Sequence, residues 1–110
     1  MPLDIRFLDE TRRVVATAVV DSKCGYYSGA VNVKEMPVSL LNVFDAYEDI
    51  VNDQTLSLLD EFEDKIAAMP LIAQFGDGSE VFVKELQIFP KAGMVSFKAV
   101  QEPAHHLFRT

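Results

Sequence analysis

The sequence predicts one α+β domain: a mainly antiparallel six-stranded sheet in the order βββ-α(α)-βββ, with one or two helices packed on one face. Three observations predict it. Apolar residues recur with the period of a strand at both ends of the chain and with the period of a helix in the middle. Gly, Pro and Asp clusters separate the strand-like runs at hairpin spacing. Only one long crossover joins the two sets of strands, so an alternating parallel fold is excluded.

Leu3, Ile5 and Phe7 alternate with Asp4 and Arg6, and Asp9-Glu10-Thr11 supplies a turn. The run from Arg13 to Val20 is β-branched and apolar on both faces, which places it toward the middle of a sheet. Asp21 to Gly25 turns the chain into a third strand from Tyr26 to Val33, on which Tyr27, Gly29, Val31 and Val33 share a face. Pro37 ends that strand. Ser39 then reads as a helix N-cap, with Val38 and Val43 as a hydrophobic staple.

Leu40, Phe44, Tyr47 and Val51 make one helical stripe; Leu56, Leu59, Phe62, Ile66 and Met69 make another. Asn52-Asp53 lies between them. Two helices, with Asp53 capping the second, are favoured over one bent helix. Pro70 closes the segment. Leu71 to Phe75 and the turn Gly76-Asp77-Gly78-Ser79 lead to a strand from Glu80 to Phe89, whose apolar residues change phase between Val83 and Leu86. That change predicts a bulge near Lys84-Glu85 or a strand covered on both faces. After the turn Pro90 to Gly93, a last strand puts Val95, Phe97 and Ala99 on one face. The domain is expected over residues 1–102 and a tail over 103–110.

A chain of 110 residues with 49% hydrophobic and 25% charged residues suffices for a single core. Its single cysteine, Cys24, cannot form an internal disulfide, and neither a signal-peptide pattern nor a membrane-length apolar run is present. A cytoplasmic protein is expected. With 17 acids against 10 bases, the formal charge of −7 repels nucleic acids and anionic membranes, and Arg12-Arg13 is the only adjacent basic pair.

The largest bias in composition lies in the helical segment, where Asp45, Glu48, Asp49, Asp53, Asp60, Glu61, Glu63 and Asp64 occur without one Lys or Arg. Polar residues opposite an apolar stripe are expected, but charges of one sign are not. Asp45 with Asp49 and Asp60 with Asp64 are like charges one helical turn apart, costing a few tenths of a kcal/mol each, roughly. Such a face suits a basic protein partner. Metal ligation is disfavoured: the segment holds no histidine and no glycine-bearing oxygen-rich loop. No cofactor is implied.

His105-His106 lies in the tail, where packing or a subunit contact through Leu107 and Phe108 outranks catalysis. Cys24, Ser28-Gly29 and the Gly76 to Ser79 turn lack the neighbours a nucleophile or a phosphate loop requires. A non-catalytic domain that binds a protein partner or itself, through the acidic helices or an exposed sheet edge, is therefore the leading expectation. The alternative is a small-molecule site or enzyme between sheet and helices, with Tyr26, Tyr27, Asp45 or Glu48 converging on a pocket.

The stretch from Tyr27-Ser28-Gly29 through the helices to Val81-Phe82-Val83 and Gly93-Met94-Val95-Ser96-Phe97 resembles small bacterial immunity-type proteins of polymorphic toxin systems. The resemblance covers residues 27 to 97 and rests on an aromatic-x-Gly strand, helices and closing hairpins. It implies a non-enzymatic inhibitor that occupies a toxin's basic surface, with the acidic helices as the contact.

Overall fold

A computed structural model describes residues 2–100 and gives the order β1 (Leu3–Leu8), β2 (Val14–Lys23), β3 (Tyr26–Asn32), α1 (Val38–Asp53), α2 (Leu59–Ala67), β4 (Ile72–Phe75), β5 (Glu80–Phe89) and β6 (Met94–Val100). The expected order of elements holds. The expected antiparallel six-stranded sheet forms as well, and it goes further than expected: its strands close into a barrel in the order β1-β2-β3-β6-β5-β4, every neighbour antiparallel. The two strands that would have been edges pair with each other, Ile5 with Phe75 and Leu8 with Ile72. No edge among these strands is left to recruit another chain, which removes edge association as a binding mode.

The barrel closes around side chains whose sizes complement one another across the strands. On β1 and β2, Phe7 is the direct partner of Ala16, and Ile5 of Ala18. Those alanines leave room for Phe7, which meets Phe97 edge to face at 5.4 Å. Tyr27 stacks on Phe97 and tilts against Phe75 near the end of the barrel marked by the β2–β3 hairpin. Gly29 is required where β3 crosses β2. A Cβ there would stand 2.0 Å from the Val19 carbonyl oxygen, a backbone atom that cannot swing aside.

The β2–β3 turn is tighter than expected. β2 runs on to Lys23, and only Cys24 and Gly25 turn the chain, both with positive φ, as a two-residue hairpin demands. The phase change in β5 is a bulge: Lys84 pairs with Lys98 but Gln87 with Ser96, and Glu85 takes the left-handed conformation at φ 54°. Val83 and Leu86 can thus both serve the core although their parity differs.

Two helices form, as favoured, but their ends differ from expectation. Pro37 rather than Ser39 precedes the first helical residue, and its carbonyl accepts the Leu41 N–H. Val38 is 71% exposed, so no staple with Val43 forms. Asp53 is the last residue of α1 and does not cap α2. Gln54 adopts the left-handed conformation, with Thr55 N–H on the Ile50 carbonyl and Gln54 N–H on that of Val51, a Schellman motif. A single 3₁₀ turn, Leu56–Leu58, then leads into α2.

The helices pack on each other, and their principal strand contact is β5. They form a lid that meets the barrel chiefly along β5, and their buried side chains join the barrel's core cluster. Phe44, Tyr47 and Ile66 are buried from the predicted stripes, and the Tyr47 ring stacks on Phe89 at 6.0 Å. Among the described residues, no helix is long and apolar enough to cross a membrane.

Candidate functional site

The eight carboxylates of the helical segment separate into those the fold uses and those it leaves in solvent. Glu48 is 3% exposed, on the inward side of α1. Its Oε1 accepts the Lys91 N–H at 2.8 Å and its Oε2 the Ala92 N–H at 3.1 Å, so it ties α1 to the β5–β6 turn. A buried carboxylate needs such donors, and the two amides would otherwise lack partners in the turn. Asp49, one residue on and exposed, takes the Lys91 ammonium at 2.6 Å. That hydrogen bond holds the Lys91 pKa above its ordinary value, with smaller contributions from Asp45 and Glu48.

Glu63, on α2, accepts the Tyr47 hydroxyl at 3.4 Å, and that hydroxyl accepts the Gln87 amide at 3.3 Å. Burial raises the Tyr47 pKa, and the charge on Glu63 adds to the shift. Asp45 is half-buried. Asp53, Asp60, Glu61 and Asp64 are exposed, and none makes an ion pair or side-chain hydrogen bond with a described residue. Lys65, the one cation on α2, stands one helical turn after Glu61 but makes no ion pair with a described residue, and its ammonium lies over the Phe62 ring at 4.9 Å.

A cleft of about 360 Å³ runs between α2 and the bulge of β5, with Tyr47, Glu63, Asp64, Lys84, Glu85 and Gln87 in its lining. Three carboxylates and one ammonium give it a negative balance, and the Tyr47 hydroxyl and Gln87 amide add neutral polar groups at its base. Sequence reading missed Lys84, Glu85, Gln87 and Lys91 because they lie about twenty to forty residues beyond the helical residues they meet. The phase change in β5 was the one local signal near them. Lys91 carried none.

Tyr26 and Tyr27, expected to converge with Asp45 or Glu48, do not. Tyr27 packs in the aromatic cluster of the barrel, while Tyr26 is 43% exposed on the outer face and donates its hydroxyl to Glu85 Oε1 at 3.2 Å. Tyr26 pairs with Lys98 toward one end of β6, and Glu48 binds the turn at the other. Among the described residues, no group of three or more His, Cys, Asp or Glu side chains is placed to hold a metal ion. His105 and His106 lie outside the described residues.

Compared with protein-family models, curated proteins and solved structures, the chain matches none. The likeness to immunity-type proteins therefore stays a likeness of sequence pattern.

Proposed function

We propose that this domain is a non-catalytic binding module that docks a basic protein surface on the acidic face of α1 and α2. The observation that carries the reading is the division of the carboxylates: Glu48, Asp49 and Glu63 have internal partners, and Asp53, Asp60, Glu61 and Asp64 have none among the described residues. Like charges left unpaired on a helix weaken it slightly, and a cationic partner turns that weakness into binding energy and faster encounter. The cleft beside Asp64 offers a slot for a lysine or arginine side chain at the margin of the face. The immunity-type resemblance agrees with a partner of this chemistry.

The test compares two variants of equal net charge. One carries Asp60→Lys, Glu61→Lys and Asp64→Lys; the other carries Asp4→Lys, Glu10→Lys and Glu35→Lys, away from α2. Capture from lysate of the source cell, with mass spectrometry of what is bound, should yield a basic protein on the wild type and the second variant but not on the first. Equal loss from both variants, or no basic protein on the wild type, would overturn the reading.

A second reading rests on the same cleft. A small cationic ligand could sit there on Tyr47, Glu63 and Gln87, as the pocket alternative supposes. Tyr47→Phe with Gln87→Leu should abolish shifts produced by such a ligand in an amide NMR titration and leave protein capture intact. Shifts that survive both substitutions would exclude this site.

A further inference from the structure

Strand pairing gathers a basic row that the sequence scatters over seventy-five residues. Lys23 on β2 is the register partner of Tyr26 on β3, Tyr26 of Lys98 on β6, and Lys98 of Lys84 on β5. Register partners share a face, and all four side chains are exposed, so the row crosses four strands of the outer barrel wall. Three strand spacings make it roughly 14 Å long.

The row is held in place. Tyr26 is tied by its hydroxyl to Glu85, and the Lys98 ammonium lies 5.7 Å from the Tyr26 ring centroid. Lys23, Lys84 and Lys98 make no ion pair with a described residue. Lys84 and Lys98 are also direct cross-strand partners, an arrangement of like charges that destabilises a sheet. In a chain of charge −7, three unpaired lysines in one row invite an anionic surface.

A nucleic acid fits poorly, because the row ends against the acidic helices. Lys84 lines the same cleft as Glu63 and Asp64, so a polyanion long enough to cover the row would meet carboxylates beside it. An anion confined to a short strip fits well. This chain carries one, adjacent to the row and of opposite sign. Two contiguous patches of opposite charge are self-complementary: a two-fold axis through the cleft sets the lysines of each copy against the α2 acids of the other.

We infer that two copies of this chain pair about such an axis, with Lys84 and Lys98 of one facing Asp60 and Asp64 of the other. The inference rests on the reading of α2 as a docking face for cations and names a second copy as its occupant. Each ion pair occurs twice in the dimer, which multiplies contacts that are individually weak.

Sedimentation of the full chain over a concentration series tests this. The wild type should dimerise at about 100 mM salt and dissociate at about 1 M, where the screening length falls to near 3 Å. Lys84→Glu with Lys98→Glu, and separately Asp60→Lys with Asp64→Lys, should each weaken self-association by at least about tenfold. An equimolar mixture of the two variants should restore a 1:1 dimer, which also shows that both are folded. A wild type monomeric throughout, an assembly that grows beyond two, or a mixture that does not pair would each overturn the inference. A monomeric wild type whose α2 face still captures a basic protein would overturn the dimer alone and leave the docking reading standing.

Discussion

Glu48 shows why position matters more than charge in the helical segment. It belongs to the same acidic run as Asp49, yet α1 turns it inward, where two amide donors of the β5–β6 turn meet its oxygens. Hydrogen bonds to an ionised group are worth about 1.5–3 kcal/mol each, and removing the acceptor strands both donors. Glu48→Ala should therefore lower unfolding free energy by about 3 kcal/mol in urea denaturation, and Glu48→Gln, which keeps one acceptor oxygen, by less. Asp49→Ala should change stability little, because its Lys91 pair is in solvent on both sides. Equal effects at the two positions would refute the separation of structural from solvent-facing carboxylates. Sequence could not make that separation. It depends on which helix face meets the turn some forty residues downstream, and helical period alone leaves Glu48 at the margin of the stripe.

At the scale of elements, the break between α1 and α2 was legible in Asn52-Asp53, but its chemistry sits one residue later. Gln54 carries the left-handed conformation that ends α1, a position where glycine is preferred because a Cβ is crowded there. Gln54→Gly should raise unfolding free energy by about 1 kcal/mol in thermal denaturation. A loss of stability would mean that the Gln54 side chain supports the break. The place of the bulge in β5 was likewise legible in the parity switch between Val83 and Leu86, although a strand covered on both faces would show the same switch, and only the register of β5 on β6 separates the two. The start of α1 was misread because Ser39 resembles a cap. Proline at position 37 has its φ fixed at −57° by the ring and an extended ψ of 145°, the non-helical backbone of a residue just outside a helix, and α1 starts directly after it. Barrel closure was not legible, because β1 with β4 is a pairing of distant segments, and alternation reports an inner face whether the sheet is open or closed. The basic row was hidden for the same reason: it exists only once register is known.

For the whole molecule, the ionisable groups define a pH window whose two sides arise in different places. The Thr11 hydroxyl and the amides of Arg13 and Thr11 hold the Asp9 pKa below 3.8, the Ser79 hydroxyl and amide hold that of Asp77 below 3.8, and Arg12 holds that of Glu80 below 4.5. A carboxylate with a depressed folded pKa stabilises the native state above its ordinary value, and that contribution is lost as pH falls through the folded value. The acid side therefore belongs to the loops and the Arg12–Glu80 pair beside the barrel, and begins just below pH 4.5. The alkaline side belongs to the helical lid. Burial raises the Tyr47 pKa above 10.0 and Asp49 raises that of Lys91 above 10.5, so both contributions are complete below those values and disappear as pH rises through the folded ones. Denaturant unfolding measured across pH should give a plateau with a decline on each side. Tyr47→Phe should flatten the alkaline decline and leave the acid side unchanged, whereas Asp77→Asn should flatten only the acid side. If Tyr47→Phe left the alkaline side as steep as before, burial of its hydroxyl between Glu63 and Gln87 would not be what couples the lid to the barrel.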